Sequence, residues 1–235
     1  KIPPQYTDMS MSRSLIAFSA LLVEGSSFSP SNPWRSRRTE NPCVLMSAPV
    51  AETITGEHLP KAVVFDLDGC LWCPDMYMLW GGGAPFKKQA DGTLFDCRGS
   101  IVKMLGAVPE VLLELKTTDR WKGTTVAIAS CTDEPSWAQE CLRKFDIGDG
   151  YCIKDVMHHE EIYTANKQKH LRNLAEITGI ALDEMIFFDN EMGNCKSVAK
   201  IGVTVAYVPK GVTAQMWELA LAEFPAPGKI IRPPS

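Results

Sequence analysis

From Lys61 onward, short apolar runs alternate with longer stretches in which apolar side chains recur every three or four positions. KAVVFDL, TTVAIAS (124–130), GYCIKDVM (150–157), EMIFFDN (184–190) and VTVAYV (203–208) are the short runs. Each has the length and near-continuous apolar character of a strand buried on both faces. Between them lie VPEVLLELKTT, with Pro109 near its start, and EPSWAQECLRKF, with Asp133 or Glu134 ahead of Pro135. NKQKHLRNLAEITG closes on Gly179, EMGNCKSVAKIG closes on Gly202, and VTAQMWELALAEF comes last. Proline suits a first helical turn and glycine the residue just past a last one, so these segments read as helices. Strands alternating with helices predict an α/β fold. The form expected is a three-layer α/β/α Rossmann-like sandwich on a central parallel sheet. The regular pattern spans residues 61–228, between an irregular segment 1–60 and a Pro-rich tail 229–235.

In such sheets, functional groups gather where strands end, at the carboxyl edge. The first run ends in Asp66 and Asp68, the second in Ser130, followed by Cys131, Thr132 and Asp133, and the fourth in Asp189, Asn190 and Glu191. Lys167 stands at the start of the helix before the fourth run. Three carboxylates brought together are costly to desolvate without a cation among them, and hard oxygen ligands favour Mg²⁺. A cation, a lysine, a hydroxyl and free main-chain N–H groups meet the needs of a phosphoryl group. One aspartate can attack phosphorus, and a second, two positions on, can shuttle the proton. That division requires the chain to curl after the strand, which Gly69 permits.

VFDLDGCLW, IASCT, Lys167 and IFFDNE, in this order, resemble the four motifs of the haloacid dehalogenase-like phosphohydrolases, the first being hhhDxDxTL. DLDGCLW, APFKK with DGTLFDCRG, EEIYTANK and MIFFDNEMGN more narrowly resemble the magnesium-dependent phosphatases. The resemblance implies a Mg²⁺-dependent phosphomonoesterase working through an aspartyl-phosphate. Asp66 would be nucleophile and metal ligand, Asp68 general acid/base and a ligand through its carbonyl, and Asp189 the third ligand. Ser130, Cys131 and Lys167 would hold the phosphoryl group, supported by Cys70 and Asn190. Three letters depart from the pattern: Cys70 stands in place of Thr, Asn190 where many members have Asp, and Cys131 where Arg often follows the Ser. Rival readings are a phosphotransferase on the same site, which would have to exclude water, and a catalytically silent phospho-ligand binding module.

Family members insert cap domains between motifs, but the interval from Trp72 to Leu105, which contains a hairpin, FKKQADGTLF, turning at Asp91-Gly92, is too short for a folded cap. A β-hairpin flap and no cap domain are expected, leaving an open site. MYMLWGGGAPF beside it reads equally as a substrate-facing loop or as aromatics packed into the core. His158-His159 with Glu160-Glu161 reads as a polar loop.

Composition adds exclusions. A net charge of −4 lacks the basic footprint of a nucleic-acid binder, and no apolar run approaches the roughly 18 residues of a spanning helix. The resemblance implies a phosphorylated small molecule or protein as partner, and composition leads one to expect no nucleic acid and no membrane in the mature form. The eight cysteines are scattered, so free thiols are expected. Cys70-x-x-Cys73 lacks the second ligand pair of a zinc site, leaving a redox pair as the alternative to plain packing. Leu15–Val23, an apolar run after a basic start, precedes Ser-rich and Arg-rich sequence. That order resembles bipartite plastid presequences, so residues 1–60 read as a targeting presequence or a disordered arm. The expected location is plastid in the first case and cytoplasm in the second.

Overall fold

The computed structural model describes residues 58–79 and 81–234. In chain order, β1 is Ala62–Phe65, β2 Trp72–Cys73, β3 Lys87–Lys88, β4 Leu94–Phe95 and β5 Ile101–Met104. There follow α1 Val108–Thr117, β6 Thr125–Ser130, α2 Pro135–Lys144, β7 Asp146–Gly148, β8 Tyr151–Cys152 and β9 His159–Ile162. The chain ends with α3 Lys167–Thr178, β10 Met185–Asp189, α4 Met192–Ala199, β11 Thr204–Tyr207, α5 Ala214–Ala222 and β12 Ile230–Ile231.

Six strands form one parallel sheet in the order β12-β11-β10-β1-β6-β9. Side chains alternate across its plane. Val63 and Phe65 enter a core with Leu112, Leu142 and Trp217, from α1, α2 and α5. Ala62 and Val64 face a second core with Leu171, Leu174 and Val198, from α3 and α4. Both faces of the central strands are therefore dry, which is why those strands are apolar throughout. Phe65, Phe188 and Trp217 pack with ring centroids 5.2 to 6.4 Å apart, fixing α5 against the two strands that end in Asp66 and Asp189.

The sequence expectation fails in one strand. GYCIKDVM supplies no strand to the main sheet: it forms β8, paired with β7, and a 3₁₀ turn at Ile153–Asp155. The strand beside β6 is instead HEEI of β9, read above as a polar loop. As an edge strand it is only half-buried, so burial does not demand apolar residues there, and pattern reading passes over it. Its polar side chains are held locally. Glu160 accepts from Lys154 and Gln139 at 2.5 Å each, and Glu161 accepts from Tyr163 Oη at 2.5 Å. Ile230–Ile231, expected in the tail, adds the opposite edge strand, with Ile231 buried.

The insertion between β1 and β6 carries the expected hairpin, β3 with β4, turning through Gly92 at φ 84°. It is larger than a hairpin, because β2 and β5 extend it to four antiparallel strands, β2-β5-β4-β3. Asp96 pins its base: Oδ1 accepts from Arg98 and Ser100 N–H, and Oδ2 from Gly83 N–H. α2 holds its outer part, Glu140 accepting from Phe86 N–H at 2.8 Å and Lys144 donating to the Phe86 carbonyl. Of the Met76–Phe86 stretch, Met76, Leu79 and Phe86 are buried while Tyr77 and Met78 face solvent; Trp80 lies outside the described residues. The apolar run at 15–23 and the basic residues after it also lie outside them.

Candidate active site

Because the main sheet is parallel, β1, β6 and β10 all end at one edge, and α2, α3 and α4 begin there. Helix N-termini bring unpaired N–H groups and positive dipole ends to that edge, which suits an anion.

β1 delivers Asp66, whose N–H continues the ladder to the Phe188 carbonyl at 2.9 Å. The chain then curls: Leu67 O accepts from Cys70 N–H at 3.1 Å and Leu71 N–H at 2.8 Å, with Gly69 at φ 71°. A Cβ on Gly69 would lie 2.2 Å from Asn190 Nδ2, so the turn needs glycine both for its backbone angle and for space. The curl returns Asp68 to the pocket that Asp66 faces. Asp68 Oδ1 accepts from Trp72 Nε1 at 2.8 Å and Oδ2 from Met76 N–H at 3.0 Å. Burial, with the Asp66 and Asp75 carboxylates nearby, outweighs these bonds and pushes Asp68 up to about 6.

Lys167 begins α3, behind Asn166, whose side chain caps the helix by accepting from Gln168 N–H. Its ammonium is buried and bonds Asp66 Oδ1 at 2.5 Å and the Ala129 carbonyl at 2.6 Å, with Asp189 Oδ2 at 3.6 Å. Burial alone would lower the lysine, but the Asp66 and Asp189 carboxylates reverse this and hold it above its ordinary value. Asp189 is raised as well, up to about 7, by burial and by Asp66. Its Oδ1 accepts from Glu191 N–H at 2.7 Å, while Oδ2 is buried with no hydrogen-bond partner.

The resulting cavity, about 340 Å³, has Asp66, Asp68, Ser130, Cys131 and Lys167 among its lining residues. Asp189 sits fully buried against its lysine. Cys131 donates its thiol proton to the Ala165 carbonyl at 2.8 Å, tying the end of β6 to the loop before α3. The two supporting residues lie outside the lining. Cys70 is fully buried, its thiol 3.5 Å from the Phe188 carbonyl and raised well above its ordinary pKa by burial and Asp66. It is a packing thiol, and a thiolate there would be unstable. Asn190 packs beneath Gly69, and its Oδ1 is buried without a partner. Cys73 is free, as are the other six described cysteines.

Asp75, Tyr77, Thr164 and Asn194 also line the cavity. Asp75, Thr164 and Asn194 escaped sequence reading. Asn194 had a usable signal, lying three positions after Glu191 in the first turn of α4; Asp75 and Thr164 are loop residues with no period to betray them. Among the described residues, no three Asp, Glu, His or Cys side chains converge into a set that would hold a metal alone. The arrangement still fits a hard cation. Asp66 and Asp189 offer carboxylates, the buried Asp189 Oδ2 has no hydrogen-bond partner, and a main-chain carbonyl can complete a set of oxygen ligands.

A parallel sheet that brings an Asp-x-Asp turn, a strand-end serine, a buried lysine and a third aspartate to one edge defines a haloacid dehalogenase-like phosphatase. Residues 58–226 match the acid phosphatase family, and the chain belongs to it. It is 37% identical over 167 residues to human magnesium-dependent phosphatase 1, covering 71% of this chain and 88% of that protein. A HAD-like hydrolase superfamily protein of Schizosaccharomyces pombe is 30% identical over 152 residues, covering 63% of this chain and 84% of the relative. Among solved structures, a HAD family enzyme from Bacteroides thetaiotaomicron aligns with a TM-score of 0.48 at 15% identity, over 68% of this chain and 98% of that one. The protein is thus a phosphatase, an enzyme that hydrolyses phosphoesters.

Proposed function

We propose that the enzyme is a Mg²⁺-dependent phosphomonoesterase in which Asp66 carries the phosphoryl group. The observation that carries this reading is the buried Lys167 ammonium. It lies 2.5 Å from Asp66 and 3.6 Å from Asp189, beside the pocket that Asp68 lines. Asp66 attacks phosphorus and forms a P–O bond as the bond to the leaving oxygen breaks. Asp68 gives that oxygen its proton, for which a carboxyl raised to about 6 is suited. Asp68 then takes a proton from water, whose oxygen attacks the aspartyl-phosphate and frees Asp66 and inorganic phosphate. Lys167, Ser130 and the main chain at Cys131 hold the phosphoryl oxygens, their charge balanced before the reaction begins. Asp66, Asp189 and the Asp68 carbonyl would hold Mg²⁺, which supplies charge neutralisation at the phosphoryl group when bound.

The flap leaves the cavity mouth open, which fits phosphotyrosine, protein-bound phosphate or sugar phosphates. In an aryl phosphate assay, Asp66→Asn should abolish turnover, and EDTA should silence the native enzyme until Mg²⁺ is restored. Full activity of Asp66→Asn, or indifference to the chelator, would overturn the mechanism.

A further inference from the structure

Beyond the cavity mouth lies a second, apolar groove of about 620 Å³, whose walls include Cys73, Pro74, Met78 and Ile101. It adjoins the catalytic cavity, because Asp75 lines both. The 3₁₀ turn Met76–Leu79 serves the two spaces in succession: Tyr77 lines the cavity, and the next residue, Met78, lines the groove.

The exposure here is concentrated. Five large hydrophobic side chains are exposed among the described residues, and three of them, Tyr77, Met78 and Ile101, belong to this cavity–groove surface at 60%, 58% and 53%. Ile101 is exposed because β5 turns it outward while its neighbour Val102 fills the core. Core packing therefore does not require an apolar residue at 101 or at 78. Apolar side chains clustered at a catalytic mouth mark a place where an apolar group is received.

We propose that this groove binds an apolar side chain two positions from the phosphorylated residue of a peptide substrate. The proposal rests on the phosphomonoesterase reading and adds the substrate's form to it. Reach decides between candidate occupants. A compact ester such as a sugar phosphate is accommodated by the 340 Å³ cavity alone and gains nothing from a groove beyond Asp75. An extended peptide sets side chains two residues apart on one face, about 7 Å from each other, and so spans both spaces. The phosphorylated side chain enters past Tyr77 while the apolar side chain two positions away covers Met78 and Ile101.

The test uses the full chain with Mg²⁺ and three probes: phenyl phosphate and two phosphotyrosine peptides that differ only in having Leu or Gln two positions either side of the phosphotyrosine. The wild-type enzyme should prefer the Leu peptide about tenfold or more in kcat/KM, the usual worth of a filled apolar subsite. Met78→Gln with Ile101→Gln, both at exposed positions, should erase that preference and leave phenyl phosphate turnover within about twofold. Equal rates on the two wild-type peptides, a preference that survives the double substitution, or an equal loss on phenyl phosphate would each overturn the groove. Failure of the wild-type enzyme on all three probes would instead sink the phosphomonoesterase reading on which the groove rests.

Discussion

Lys167 shows how one side chain binds the site together. It is buried, faces two carboxylates and bonds a strand carbonyl, so its charge is matched on every side that water has left. One turn along α3, His170 is also fully buried. Its Nε2 lies 3.0 Å from the Tyr163 carbonyl, and its Nδ1 has no hydrogen-bond partner. Burial, and then the Lys167 charge, hold its pKa below the ordinary 6.5, so the fold keeps it neutral. The folded state thus resists a proton that the unfolded chain accepts. Stability from this source is complete above the ordinary pKa and declines as pH falls through it. Asp68 and Asp189, both raised, work the other way over this range. The decline should therefore appear as the difference in urea stability between the wild type and His170→Gln from about pH 8 to pH 5. An unchanged slope in the variant would assign the pH dependence to other groups.

Among the elements, the turn after β1 is the most constrained. Gly69 combines a left-handed backbone with contact against Asn190, so β1, the Asp66–Asp68 turn and the start of α4 are held in one register. Gly69→Ala should cost the 1–2 kcal/mol or so of a left-handed residue plus the displacement of Asn190, and most of the activity. Gly92→Ala is the control: its φ of 84° is equally left-handed, but a Cβ there meets nothing within 4 Å. It should lose only the backbone contribution and keep its turnover. Equal activity of the two variants would mean that the Asn190 contact does not set the geometry of Asp68. The flap obeys the same logic, since three N–H donors converge on Asp96 and hold its carboxyl below the usual range although burial opposes this.

Across the whole molecule, the sheet is closed at one edge by a strand of two residues near the end of the chain. β12 pairs with β11 through Val205↔Ile230 and Ala206↔Ile231, and Ile231 is buried. Removing residues 229–235 should destabilise the protein by roughly 2–5 kcal/mol, the usual cost of losing a buried isoleucine side chain, while leaving turnover per folded molecule intact. A shift in the denaturation midpoint checks the first expectation and active-site titration the second. Unaltered stability would reduce β12 to an ornament of the edge.

Sequence alone determined the elements whose residues must be buried on both faces. Val63, Phe65, Ile128 and Phe187 leave few other places for their runs to go, and the polar residues that end those runs named Asp66, Asp68, Ser130 and Asp189 as neighbours. Pattern carried this far because burying apolar surface and ending a strand are local demands on composition. Tertiary structure decided what local demands leave free. HEEI became a strand because an edge strand is only half-buried, and YCIKDV was drawn into a hairpin and a turn. Ile230–Ile231 joined the sheet because β11 left an edge unpaired. Cys70 came to lie against the Phe188 carbonyl of β10 and Asn190 beneath Gly69, both outside the cavity lining. Asp75, Thr164 and Asn194 came to the mouth from loops and a helix start, where no periodic pattern records which way a side chain will face.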